Sequence, residues 1–248
     1  MENTYTKTAI VTGATSGFGN AITKMLLSHN YKVYGLGRRK DRLEELKKTN
    51  INFIGYEIDL ANKEEIKKFY ASIKNVKVDL LINNAGLALG ATSYDQMELD
   101  DADTMINVNI NSLVHMTSYF LKMEGDDKLI INIGSIAGSY SYPNNNIYGG
   151  TKAFVNHFSK NLRSDLYNKN VRVTSIEPGL AKTEFSMVRL KNDKDKAEAI
   201  YKNTEYIKAE DIALIVKNLI ELPKHLNINS IEVMPVTQAC GPLNIWLN

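Results

Sequence analysis

Tyr148 and Lys152 stand four residues apart in the segment YGGTK, and Ser135 lies thirteen positions upstream. Residues i and i+4 of a helix share one face, so a phenol and an ammonium at this spacing can enter the same pocket. Their partnership is also chemical. A free tyrosine ionises near pH ~10. To act as a base near neutrality it needs a shift of about 3 units, or roughly 4 kcal/mol, much of which a buried cation beside it can supply. Together with the glycine-rich turn TGATSGFG near the start of the chain, the trio predicts hydride chemistry on an alcohol or a carbonyl. Singly, each residue has a plainer reading: a packed aromatic, a solvated amine, a turn hydroxyl. It is the joint arrangement that points to catalysis.

Such a trio needs elements to hold it. Short β-branched runs alternate with helical patterns along the chain, as a parallel sheet covered on both faces requires. TAIVTG, YKVYGLG, NFIGYEID, VDLLINN, KLIINIGS, VRVTSIEP and NSIEVMP read as seven strands. LLIN and LIINI are nearly continuous in apolar character, which suits central strands buried on both sides. The fold class expected is therefore α/β, a Rossmann-type doubly wound parallel sheet of about seven strands, with residues 1–248 forming one domain. A sheet of this kind receives its ligand at the carboxyl ends of the strands, where every motif named here falls. From Gly13 to Gly19 the turn joins TAIV to a helix. Its glycines permit a tight turn and close backbone approach, so a dinucleotide pyrophosphate can sit on free amides at the positive end of that helix.

Thr12-Gly13-x-x-x-Gly17-x-Gly19, Asn83-Asn84-Ala85-Gly86, Asn109, Ser135, Tyr148, Lys152 and Pro178-Gly179 occur in the order and spacing of one family. The chain resembles the short-chain dehydrogenase/reductases from about Lys7 to Met234. NNAGLALG, NIGSIAGSYSYPNNNIYGGTKAF, EPGLAKTEFSMVR and MPVTQ further resemble the NADP-dependent 3-hydroxy acid dehydrogenases, a group that includes serine and allo-threonine dehydrogenases. The resemblance implies Tyr148 as acid and base, Lys152 on the nicotinamide ribose, and Ser135 on the substrate oxygen. It implies Asn109 as the residue that kinks a helix and holds a water in the proton relay, with Asn107 and Asn111 close enough to compete for that assignment. It also implies cofactor contacts from Thr15, Ser16 and Phe18 in the glycine turn, from Asp59 and Leu60 beside the adenine, and from Asn84, Ala85 and Gly86 around the adenosine ribose.

Cofactor choice turns on the end of the second strand, which reads Gly37-Arg38-Arg39. A carboxylate there would favour NAD, whereas a 2′-phosphate needs cations, so two arginines and no acid point to NADP. The other reading is a solvated pair, with Asp41 bridging one arginine. Beyond Pro178 and Gly179, Thr183 is placed to bond the nicotinamide carboxamide or the pyrophosphate, and residues 183–205 read as a substrate lid. Arg189 in that lid is a candidate clamp for a substrate carboxylate, or else a solvated charge. Asn144, Asn145 and Asn146 suit a short polar substrate. Serine, allo-threonine and 3-hydroxypropionate (the reduced form of malonic semialdehyde) are the candidates that the resemblance implies. The alternatives are a reductase of another carbonyl, such as a 3-oxoacyl thioester, and a regulator that binds NADP without turnover.

The remaining features exclude more than they specify. With 248 residues, 44% hydrophobic and 23% charged, the chain can bury one large core. A net charge of +2 with scattered Lys and Glu argues against nucleic acid or membrane as partner. The start MENTYTKT lacks the apolar stretch of a signal peptide, and a single cysteine, Cys240, cannot form an internal disulfide, so a cytoplasmic enzyme is expected. Cys240 reads as a small packing residue. His29, His115, His157 and His225 show no ligand spacing and imply no metal. Family resemblance implies a homotetramer built through the helices carrying Asn109 and Tyr148.

Overall fold

The computed structural model describes residues 5–240. Seven strands form one parallel sheet in the order β3-β2-β1-β4-β5-β6-β7. These are β1 (Lys7–Thr12), β2 (Tyr31–Gly37), β3 (Phe53–Glu57), β4 (Leu80–Asn83), β5 (Lys128–Ile133), β6 (Val171–Pro178) and β7 (Ser230–Val233). All seven runs read from the sequence are strands, each within a few residues of its expected limits. The chain order reverses between β1 and β4, so a cleft opens beyond Thr12 and Asn83.

Period-two alternation sends the two halves of each central strand to opposite cores. Ala9, Val11, Leu80, Ile82, Leu129 and Ile131 pack under α1 (Gly17–Ser28), α2 (Lys40–Thr49) and α9 (Ala209–Glu221). Ile10, Leu81, Ile130 and Val173 pack under α3 (Lys63–Ser72), α5 (Ser112–Lys122) and α6 (Asn146–Asp165). Apolar residues at every position of LLIN and LIINI are thus required by two buried faces. The edge strand β7 alternates exposed and half-buried residues, as a strand covered on one side should.

Between the sheet and the second helical layer runs a buried polar chain. Asn83 Nδ2 donates to Asn132 Oδ1 at 2.9 Å and to Thr117 Oγ1 at 3.0 Å, and Asn132 Nδ2 donates to Ser159 Oγ at 2.9 Å. These bonds fix α5 and α6 against β4 and β5. Truncating Asn132 would deprive the buried Asn83 amide of an acceptor and the Ser159 hydroxyl of a donor, at about 1–3 kcal/mol. Two further helices, α7 (Phe185–Arg189) and α8 (Lys194–Ala199), follow β6 and lie over the carboxyl edge of the sheet, while α4 (Leu99–Ile106) runs into a π-helical turn, Asn107–Asn111, before α5. No helix among the described residues is long and apolar enough to cross a membrane.

Candidate active site

A groove of about 630 Å³ lies along the carboxyl edge, with the glycine turn at one end and the Tyr148 region at the other. The turn is shaped by backbone that only glycine tolerates well. Gly13 has φ +68° and Gly17 has φ +48°. A Cβ on Gly19 would fall 2.2 Å from the Gly13 carbonyl oxygen, so Gly19 serves close packing of α1 on β1 and is not on the groove wall. Thr12 Oγ1 accepts from the amides of Asn84 and Ala85, both at 2.9 Å, and Asn84 Nδ2 donates to the Thr12 carbonyl at 2.9 Å. The Asn84 side chain therefore holds the β1 and β4 ends together, and Asn84, Ala85 and Gly86 all line the groove.

The start of α1 fits an anionic ligand. Ser16 makes no side-chain cap and no acid occupies the first turn. By contrast, α3 is capped by Asn62 and carries Glu64 and Glu65. The first amides of a helix have no intrahelical partner, so those of α1 remain available to a pyrophosphate. Thr15, Ser16, Gly17 and Phe18 line the groove here, and Asp59 and Leu60 border it beyond β3.

Arg38 and Arg39 both border the groove, but in different states. Arg38 is exposed. Arg39 Nη1 instead donates to Glu184 Oε2 at 2.5 Å, and Arg42 Nη1 donates to Glu184 Oε1 at 2.6 Å. Among the described residues Asp41 forms no ion pair, so the acid that meets the arginines comes from beyond β6. Glu184 and Arg42 were not singled out from the sequence, because 142 residues separate them.

At the other end, α6 carries Tyr148 and Lys152 to the same wall. The loop holding Ser135 lies directly on α6. A Cβ on Gly138 would meet the α6 backbone at 2.6 Å, so the glycine permits that approach. Tyr148 and Ser135 both line the groove, where Ser135 Oγ accepts from the Ala137 amide at 3.1 Å. Protein packed around the Tyr148 hydroxyl pushes its pKa up; the Ser135 side chain and the charge of Arg189 oppose the rise without cancelling it. Lys152 is 5% exposed, its Nζ donates to the Ile133 carbonyl at 2.7 Å, and burial pushes its pKa down to about 8. Its Nζ lies 5.8 Å from the centre of the Tyr148 ring.

Asn109 is 2% exposed within the π-helical turn. Its Oδ1 accepts from the Leu87 amide at 2.9 Å, and its Nδ2 donates to the Leu87 carbonyl at 2.8 Å and to Thr151 Oγ1 at 3.0 Å. It braces the loop after β4 against α6. Asn107 and Asn111 bond only each other among these side chains, at 2.8 Å on the exposed side. The inward place therefore belongs to Asn109.

Residues after β6 cover this end. Pro178 and Gly179 line the groove, Thr183 Oγ1 accepts from the Phe185 amide at 3.2 Å, and the Phe185 ring lies 5.3 Å from that of Tyr148. Arg189 Nη2 donates to the Asn144 carbonyl at 3.1 Å and to Asn145 Oδ1 at 3.3 Å, and its charge opposes the rise that burial imposes on the pKa of Tyr142. It is fixed, not a freely solvated charge. Tyr142 had no signal in the sequence beyond its place in the polar run before Tyr148. One reading needs correction: Cys240 is exposed, with its Sγ 2.9 Å from the Tyr140 hydroxyl, and does not fill a core.

Comparison with known proteins agrees with this geometry. The short chain dehydrogenase family profile matches residues 7–194. The NADP-dependent 3-hydroxy acid dehydrogenase YdfG of Escherichia coli (strain K12) is 46% identical over 242 residues, covering 95% of this chain and 98% of that protein. Serine 3-dehydrogenase of Rhizobium radiobacter is 42% identical over 243 residues, covering 96% and 98%. Among solved structures, a closed form of serine dehydrogenase complexed with NADP+ superimposes with a TM-score of 0.91 at 44% identity, covering 97% of this chain and 100% of that one. Serine dehydrogenase from Escherichia coli gives 0.80 at 39% identity, with 94% and 100% covered. The chain belongs to the short-chain dehydrogenase family.

Proposed function

We propose that the chain is an NADP-dependent oxidoreductase that interconverts a short 3-hydroxy acid and its oxo form, with serine, allo-threonine and 3-hydroxypropionate as the candidate substrates. One observation carries the reading: Tyr148, Ser135 and buried Lys152 meet at the far end of a groove whose other end is an uncapped helix N-terminus. The relatives named for NADP and for hydroxy acids support it.

The groove's residues fit such a cofactor. The α1 amides would take the pyrophosphate, Arg38 and Arg39 the 2′-phosphate, Asp59 and Leu60 the adenine side, and Ala85 and Gly86 the ribose. Thr183, Pro178 and Gly179 would border the nicotinamide end. When bound, NADP accepts a hydride from the carbinol carbon, or NADPH returns it.

Ser135 holds the substrate oxygen beside the Tyr148 hydroxyl, which takes its proton in oxidation and gives one back in reduction. Without ligand, burial keeps Tyr148 as the neutral phenol, the form that donates to a carbonyl oxygen. The ammonium of Lys152 favours the phenolate needed in the opposite direction. Asn109 keeps the Leu87 backbone and Thr151 in place, and Thr151 Oγ1 in turn donates to the Tyr148 carbonyl at 2.8 Å. Arg189, held by Asn144 and Asn145, is the clamp for a substrate carboxylate, and residues 183–205 act as the lid. Assembly as a homotetramer through the helices carrying Asn109 and Tyr148 belongs to the same reading.

Tyr148→Phe tests the assignment. Turnover on short hydroxy acids with NADP should fall by at least about a hundredfold, the usual contribution of general acid and base catalysis, while NADPH affinity stays nearly unchanged. Equal turnover in both proteins would remove Tyr148 as the proton carrier.

A further inference from the structure

The adenosine end of the groove is roofed by a contact between its two walls. Glu184 directly precedes α7, and its carboxylate reaches the start of α2, where one oxygen meets Arg39 and the other Arg42. The arginines are themselves anchored. Arg42 Nη1 also donates to the Thr15 carbonyl at 3.1 Å, and Arg39 Nε donates to Thr15 Oγ1 at 3.3 Å. The neighbouring Thr183 presses on the glycine turn, since a Cβ on Gly17 would lie 3.2 Å from Thr183 Cβ. Residues 183 and 184 thus cross above the amides at the start of α1. A dinucleotide seated on those amides passes beneath them.

We infer that Glu184 is a positioning residue that, through Arg39 and Arg42, fastens the start of the lid across the cofactor groove and so sets the rate at which the dinucleotide leaves. The inference rests on the proposed reading that this groove holds NADP. Glu184 touches none of the reacting groups at the Tyr148 end. Partial burial pushes its carboxyl up, but hydrogen bonds and charge from both arginines outweigh this and hold it below its usual value, so it is ionised at neutral pH.

The opposite end of the lid has separate fastenings. The Arg189 carbonyl accepts from the Gly90 amide at 3.0 Å, and Lys191 Nζ lies 2.9 Å from Asp101 Oδ2. Breaking the Glu184 bridge therefore loosens the adenosine side without releasing the substrate side. Arg42 does not line the groove, so its replacement removes one arm of the bridge without removing a wall residue.

The test is the dissociation rate of NADPH and of NADH, followed by nicotinamide fluorescence in stopped flow, for wild type, Glu184→Gln, Arg42→Gln and the double variant. Glu184→Gln should release both dinucleotides about tenfold faster, equivalent to about 1.4 kcal/mol. Arg42→Gln should also accelerate release of both, and the double variant should match Glu184→Gln, because the residues act as one unit. Hydride transfer in a single turnover should be unchanged. Release at the wild-type rate from Glu184→Gln, or additive effects in the double variant, would overturn the inference. Tighter NADPH with unaltered NADH would overturn it too, identifying Glu184 instead as a competitor of the 2′-phosphate. If neither dinucleotide binds the wild type, the oxidoreductase reading itself falls.

Discussion

Burial of Lys152 makes a measurable claim about the ligand-free protein. Its pKa is pushed from 10.5 down to about 8 by desolvation, with a single carbonyl as hydrogen-bond partner. Below pH 8 both the folded and the unfolded chain hold the proton. Between 8 and 10.5 the unfolded chain keeps it while the native protein has released it, so stability rises with pH across that window and levels off above it. A gap of this size is worth roughly 3 kcal/mol over the whole window. Lys152→Met has no such proton to lose. Urea unfolding of both proteins at pH 7, 8, 9 and 10, without cofactor, should show the wild type gaining on the variant by most of that amount. Differencing the two removes the surface lysines and the other tyrosines that titrate in the same range. With saturating NADP the slope should shrink, because an ammonium given further acceptors keeps its proton to higher pH. Parallel curves for wild type and variant would show that Lys152 titrates in its ordinary range, and the account of a strained ammonium beside Tyr148 would be wrong.

Other outcomes follow from the two arginine positions. Arg38→Ala should raise the KM for NADPH by roughly 10- to 100-fold, the value of a charged hydrogen bond, and leave NADH nearly unaffected; equal weakening of both cofactors would refute the phosphate assignment. Arg39→Ala should weaken both, since it also loosens Glu184. Arg189→Ala should raise the KM for a carboxylate substrate roughly 30-fold more than for its neutral ester, as loss of about 2 kcal/mol requires. An unchanged acid-to-ester ratio would remove the clamp, whatever happens to the lid.

What could be read from the sequence was what depends on nearby residues. The glycine turn, the i,i+4 pair of Tyr148 and Lys152, and the doubly buried strands are each encoded within a few turns or a single strand. Even the inward place of Asn109 follows from local geometry, once the π-helical turn sends Asn107 and Asn111 outward. Contacts set by sheet order were not legible. Glu184 meets Arg39 only because β6 and β2 close the two sides of one groove, and Asn83 meets Asn132 and Thr117 only because β4 lies between β1 and β5.

The Tyr148 and Lys152 pair shows a subtler limit. Spacing predicts that the ammonium lowers the phenol, and that holds when the cation is near and the site is wet. Here the same fold that brings the groups together removes water from both, and desolvation disfavours the phenolate and the ammonium alike. The phenol is therefore pushed up and the amine down until something else fills the groove. A ligand bearing hydroxyl acceptors for Lys152 would raise its pKa again and keep the charge beside Tyr148 at higher pH. On this argument the ligand-free protein below pH 8 pairs an ammonium with a neutral phenol, and occupation of the groove extends to higher pH the range over which Lys152 keeps its charge beside Tyr148.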